Sequence, residues 1–145
     1  MKSKLIYEQA GERTFAVVFD RGEEVLSGLS QFSREANLTA ARFTAIGALS
    51  DVVLGFFDPG TRQYEQIPVR EQVEVLSIMG NVAEHRGKPK VHAHIVIGRR
   101  DGTAYGGHLL EAHVAPTLEV MVVEAPSHLQ RTVDEQTGLA LLTLG

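Results

Sequence analysis

Three of the chain's six histidines fall within one short stretch, "VHAHIVIGRRDGTAYGGHL", from Val91 to Leu109. Side chains alternate along a strand, so His92 and His94 point to the same face if this stretch is extended. The segment that follows reads as a turn. Arg99-Arg100-Asp101-Gly102-Thr103 suits a three-residue hairpin loop, a type I turn followed by glycine in the left-handed region. That loop pairs Arg99 with Thr103 and sets His94 opposite His108, and directly opposed residues hold their Cβ atoms about 4.5–5.5 Å apart. A two-residue loop would instead pair His94 with Leu109 and turn His108 away, unless a bulge at Gly106-Gly107 restored it. In the first register, three neutral imidazoles share one face of one hairpin. That is the ligand set of a zinc site with an open fourth position. Imidazole also suits nickel, iron and copper. Each histidine alone could be a half-buried, hydrogen-bonded strand residue; three in matching register favour the metal.

Other polar residues have weaker claims. His113, beyond Glu111, reads as a surface histidine in a loop, with a fourth ligand as the sharper alternative. It could also reach a neighbouring subunit. Glu119 lies inside the apolar run "TLEVMVV". A buried carboxylate there wants a partner; it could orient a ligating histidine or act as a base beside a metal-bound water. It could equally face solvent at a sheet edge. His85 and His128 sit in loop-like contexts and receive no role. "RGKPK", Arg86 to Lys90, has the look of the Arg-Gly-Arg-Pro core of an AT-hook, although such hooks lie in flexible basic tails. Its bland alternative is an ordinary loop with a proline turn. No Ser-His-Asp triad, P-loop or GxGxxG pattern offers a rival chemistry.

The elements that must position these residues are mostly strands. "RTFAVVFD", Arg13 to Asp20, is β-branched and aromatic, a buried strand. In "DRGEEVLSGLSQFSREANL" the apolar residues Val25, Leu29, Phe32 and Ala36 line one helical face. The spacing predicts a helix over Glu23 to Ala36, with Asp20 as cap and Glu23 completing a capping box. "ARFTAIGAL" and "DVVLGFFDP" read as two strands either side of Ser50. "RQYEQIPV", "VEVLSIMGNV", "KVHAHIVIG", "TAYGGHLL", "TLEVMVVEA" and "GLALLTL" follow, with Pro68 and Pro126 expected at edges or strand ends. The architecture is α+β: one domain over residues 1–145, a mostly antiparallel sheet with one main helix packed on it. Strands apolar on both faces, such as Glu119 to Val123, point to a partner subunit covering the face that the helix leaves bare.

Composition narrows the field. The chain has 145 residues, is 43% hydrophobic and 22% charged, and contains no cysteine. A disulfide scaffold, a thiolate metal site and a cysteine nucleophile are excluded. The absence of cysteine fits a reducing cytoplasm, the expected location. A formal net charge of -4 gives no general attraction to nucleic acid or an anionic membrane. "MKSKLIYEQAGERTF" reaches charged residues too early for a secretory leader, and no membrane span is expected.

The stretch "EVLSIMGNVAEHRGKPKVHAHIVIGRRDGTAYGGHLLEAHVAPTLEVMVVE" resembles the PPC domain, the plant- and prokaryote-conserved domain. The likeness is strongest from Glu74 to Glu124 and extends more weakly from about Thr14. It rests on "GALSDVVLGFFD" followed by "HAH…G…GGHL…LEV". The resemblance implies an α+β fold with an antiparallel sheet and a homotrimer. It also implies that stand-alone prokaryotic members use the HxH and GGH histidines as a metal site, with zinc the leading ion. Those positions are His92, His94 and His108; His113 matches no family pattern. Plant members, which carry AT-hooks and act on DNA in the nucleus, generally lack this set.

Two classes of function follow as expectations. One is a metal-binding homotrimer that takes a small molecule at its open position, where zinc would lower the pKa of a bound water to about 7 and so serve a hydrolase or lyase. The other is a DNA-associated regulator, or a non-catalytic scaffold that binds a metabolite between subunits. Nucleic acid ranks second because acidic net charge opposes phosphate binding.

Overall fold

Buried residues alternate with exposed ones along most of the chain, and in the computed structural model, which describes residues 1–144, those stretches are strands. The order is β1 (Lys2–Gln9), β2 (Glu12–Asp20), α1 (Val25–Glu35), β3 (Ala40–Asp58), β4 (Gln63–Val69), β5 (Val73–His85), β6 (Lys88–Gly98), β7 (Ala104–Glu124), β8 (Gln130–Val133) and β9 (Ala140–Thr143). They form one sheet. Its pairings are antiparallel except for a single parallel contact between β5 and β8 at Glu84 and Gln130. The expected mostly antiparallel sheet with one main helix is therefore observed, as a mixed sheet.

Four strands bring the fold back on itself. β3 pairs with β5, β5 with β6, β6 with β7, and β7 with β3. Their inward residues make the core: Val17 and Phe19 of β2, Ile95 and Ile97 of β6, and Leu109, Leu118 and Val120 of β7 are almost fully buried. Each such burial contributes roughly 1.5–3 kcal/mol. The helix lays Val25, Leu29 and Phe32 on that core, with Phe32 meeting Phe15 edge to face at 5.3 Å. Gly28 lets the helix come close, because a Cβ there would lie 2.3 Å from the Phe19 ring.

The helix start departs from expectation. Its cap is Glu24, whose carboxylate accepts from the Leu26 and Ser27 amides, and not Asp20. Asp20 still sits in β2. Glu23 accepts the Asp20 amide at 2.8 Å, but this contact lies ahead of the cap, so the expected capping box at the helix start is absent. A carboxylate longer by one methylene can cap when the chain enters the helix extended, as Glu24 does with φ −87° and ψ 130°.

Two expected strand breaks are absent. Ser50 lies inside one 19-residue strand, β3, and "TAYGGHLL" and "TLEVMVVEA" are parts of one 21-residue strand, β7. The pairing of β3 with β7 shifts between Gly47 and Leu49, between Leu49 and Asp51, and between Val53 and Leu54. Each shift resets which residues face inward while the ladder continues. Pro68 does lie on β4, which pairs only with β3, and Pro126 follows the end of β7. Among the described residues, no helix is long and apolar enough to cross a membrane.

Candidate metal centre

The hairpin that carries the histidines has the first of the two registers. The Arg99 amide donates to the Thr103 carbonyl at 2.9 Å, the Gly102 amide donates to the Arg99 carbonyl at 2.9 Å, and Gly102 has φ 83°. His94 is therefore paired directly with His108. No bulge occurs at Gly106-Gly107; these glycines admit close neighbouring backbone, with a Cβ at Gly107 lying 3.0 Å from the Gly55 carbonyl oxygen.

Inward-facing Ala93, Ile95 and Leu109 anchor the two strands in the core, so the alternating histidines stand on the outer face. Their ring centroids are 5.2 Å apart for His92 and His94, 5.1 Å for His92 and His108, and 5.3 Å for His94 and His108. One ring nitrogen from each can be chosen so that all three lie within 4.8 Å of one another. His94 is exposed, while His92 and His108 are half-buried. Burial pushes His108 down to about 4, helped by His92, His94 and Lys90. His92 is also lowered, by burial first and then by Arg131, His94 and Lys90. Both rings are therefore held neutral at physiological pH, the form that coordinates a metal.

The donors fit a divalent transition ion. Three imidazoles and no carboxylate are the ligand set of an open zinc site, and the same set suits nickel, copper or iron. His108 Nδ1 is buried and lacks a hydrogen-bond partner. Such orphans are rare, and an unplaced ion or water is one of the usual reasons for them.

Tyr64 of β4 supports the site in a way the sequence did not announce. Its ring stacks on His108 with centroids 4.5 Å apart and 24° between planes. Gly55, which pairs with both His108 and Gln66, leaves room for that ring; a Cβ at Gly55 would lie 2.9 Å from Tyr64 Cδ1. Arg131 of β8 was also missed. Its guanidinium donates to Asn81 Oδ1 at 2.5 Å, and Asn81 is the residue paired with His92. Nothing in the polar segment around Arg131 marks it as buried.

The remaining candidates lie elsewhere. Glu119 is exposed and pairs in register with Val18 and Ile46, so it is not brought to the histidines. The alternation that buries Leu118 and Val120 turns it outward. His113 is not a fourth member of the cluster. Its Nδ1 lies 2.8 Å from Asp51 Oδ1, and that hydrogen bond raises its pKa. Ser50 Oγ donates to the other Asp51 oxygen at 2.8 Å. In this trio the carboxylate stands between hydroxyl and imidazole, so the imidazole does not touch the serine and the order of a Ser-His-Asp triad is not formed. His85 lies 3.1 Å from the Arg131 carbonyl and His128 lies 3.3 Å from Glu84, both structural contacts. "RGKPK" forms a tight hairpin turn. Arg86 and Gly87 take φ 53° and 74° between paired His85 and Lys88.

Comparison with known proteins places this geometry in a family. The Plants and Prokaryotes Conserved (PCC) domain matches residues 7–126. A plant- and prokaryote-conserved (PPC) protein from Pyrococcus horikoshii is 32% identical, with a TM-score of 0.85 over 91% of this chain and 92% of that one. A metal-containing protein from Archaeoglobus fulgidus is 32% identical, with a TM-score of 0.84 over 99% of both chains. A candidate DNA-binding protein from Bacteroides thetaiotaomicron is 27% identical, with a TM-score of 0.85 over 94% of both chains. The bifunctional protein GlmU of Synechococcus sp. is 27% identical over 120 residues, and the match spans 81% of this chain but only 18% of that protein.

Proposed function

The chain belongs to the Plants and Prokaryotes Conserved domain family, and from that premise we propose that it is a homotrimeric metal-binding protein that takes a small molecule at its three-histidine site. His92, His94 and His108 hold the ion, zinc or another divalent transition metal. The observation that carries this reading is the convergence of three imidazole nitrogens within 4.8 Å on one hairpin. The metal-containing relative from Archaeoglobus fulgidus supports it. When bound, the ion supplies Lewis acidity toward a small molecule, the chemistry of a hydrolase or lyase. The chain's own residues do the positioning. The Arg99–Thr103 turn fixes the register of His94 against His108, Tyr64 restrains the His108 ring, and burial keeps His92 and His108 unprotonated. Elemental analysis of protein purified without chelator should return about one metal ion per chain, as three ligands with one open position require. A metal-free preparation that stays metal-free after incubation with zinc, nickel, copper and iron salts would sink the reading.

The trimer is supported by an apolar outer face beside the site. Ile46 is 60% exposed and Met79 65% exposed, and Met79 pairs directly with His94. Exposed large apolar residues on one face are a mark of association surfaces. Sedimentation should return three times the 15.8 kDa chain mass; a single-chain mass would remove the trimer and leave the metal site standing.

A DNA-associated role is the second reading, favoured by the description of the Bacteroides thetaiotaomicron relative. The net charge of -4 and the engagement of Arg86 and Gly87 in a hairpin turn support ranking it below the metal reading. At physiological salt, random and AT-rich duplexes should show no gel shift. A salt-sensitive shift lost in Arg86→Ala would reverse the order.

A further inference from the structure

A cavity of about 160 Å³ opens beside the histidines, and its walls carry positive charge without a matching acid. His92, His108, Tyr64, Lys90 and Arg131 line it, with Val91, Leu139 and Leu141 as apolar wall. Arg131 is only 7% exposed. Its partners are neutral: the Ala140 carbonyl at 2.8 Å and Asn81 Oδ1 at 2.5 Å. Its Nε is buried without a hydrogen-bond partner. Among the described residues no carboxylate lies within ion-pair distance of it; the nearby Glu84 contacts His128. A guanidinium taken out of water is normally paired, because burying an unpaired charge is costly. Burial accordingly lowers the Arg131 pKa, and no acid offsets that effect. Lys90 adds a second cation at the mouth, and a divalent ion on the histidines would add more. The cavity is smaller than the roughly 300–1,000 Å³ typical of drug-sized sites, which limits the occupant to a small molecule.

We propose that this cavity is the anion-binding part of the three-histidine site. It accepts a small molecule with a carboxylate or phosphate group, held by Arg131 and Lys90, whose short apolar body lies against Val91, Leu139 and Leu141. This rests on the reading of the histidines as a small-molecule metal site, and it narrows the ligand to an anion. Arginine suits the role because its planar fork of N–H donors matches the oxygens of either group.

Calorimetric titration of the zinc-loaded protein with butyrate, inorganic phosphate and neutral butyramide tests it, with zinc content measured on the same samples. Butyrate or phosphate should bind saturably, and the stronger of the two identifies the anion; butyramide should bind at least about tenfold more weakly. Arg131→Met should weaken anion binding at least about tenfold with zinc content unchanged. Arg131 also supports Asn81, so the exposed Lys90→Met variant provides the second arm, with an expected loss of about threefold. Equal affinity for butyramide, absence of binding by either anion, or unchanged anion affinity in the variants that fold would overturn the proposal. A protein that takes up none of zinc, nickel, copper and iron would refute the metal reading separately; the same titrations on that metal-free protein would then uphold or reject the anion subsite by the same criteria.

Discussion

Replacing His108 by alanine is expected to abolish stoichiometric metal binding while leaving the fold intact. His108 stands opposite His94 and within 5.1 Å, ring to ring, of His92. Without it two imidazoles remain, both on β6, and two monodentate ligands do not hold a divalent ion against water. Changing residues that merely orient a ligand lowers metal affinity by about 10–100-fold, so removing a ligand should exceed roughly 100-fold. The folded state should tolerate the change. The ring is half-buried on the outer face, its Nδ1 makes no hydrogen bond that alanine would break, and its removal relieves an unsatisfied buried atom. The main loss is the stacking on Tyr64, worth about 0.5–1.5 kcal/mol for aromatic pairs. Competition titration with a chromogenic chelator measures the affinity, and thermal unfolding of the metal-free protein measures the fold. Wild-type metal affinity in the variant would mean that His108 is not a ligand.

The second large effect lies one strand away. Gly80 on β5 pairs with Phe43 of β3 and Ala93 of β6. A Cβ at Gly80 would lie 2.3 Å from Phe43 Cζ and 2.5 Å from the His92 carbonyl oxygen. The first contact is with a buried ring and the second with the backbone of a proposed metal ligand, so neither can yield cheaply. Gly80→Ala should therefore destabilise the protein by about 3 kcal/mol, the upper part of the usual range for overpacking. It should also push β6 away at His92 and weaken metal binding by roughly tenfold or more. Gly87→Ala is the control. Gly87 has φ 74° and open space around it. That change should cost about 1 kcal/mol through backbone strain alone, with metal affinity unchanged. Chemical denaturation and metal titration on both variants separate the effects. Equal behaviour of the two would mean that close packing at Gly80 does not position the site.

The three-histidine cluster was legible because its determinants are local. HxH alternation and the "RRDGT" turn are enough to bring three side chains together across one hairpin, and the observed register agrees. Longer-range features were not. β3 and β7 read as four strands because bulges interrupt the period of two while backbone pairing continues; Ala48 and Leu49, adjacent in sequence, are both buried. β1 gave no signal, since all of its residues are exposed and it pairs only with β2. The setting of Glu119 was ambiguous because apolar neighbours occur on both faces of β7: Val120 is in the core, whereas Met121 is 43% exposed. Arg131 lies in a polar segment whose burial arises only when β8 crosses beside β5 and pairs with β9. Tyr64 reaches His108 through the β3–β4 pairing and the missing side chain of Gly55, a three-strand relation that spacing along one strand does not encode.

One metal ion is expected among His92, His94 and His108. Anomalous diffraction from crystals of chelator-free protein, recorded on both sides of the zinc absorption edge and repeated at the nickel, copper and iron edges, tests it most directly. One strong peak per chain is expected, about 2.0–2.1 Å from a nitrogen of each of the three imidazoles for zinc. The absence of a peak there in metal-supplemented crystals, or a peak at other residues with the three imidazoles left empty, would contradict it.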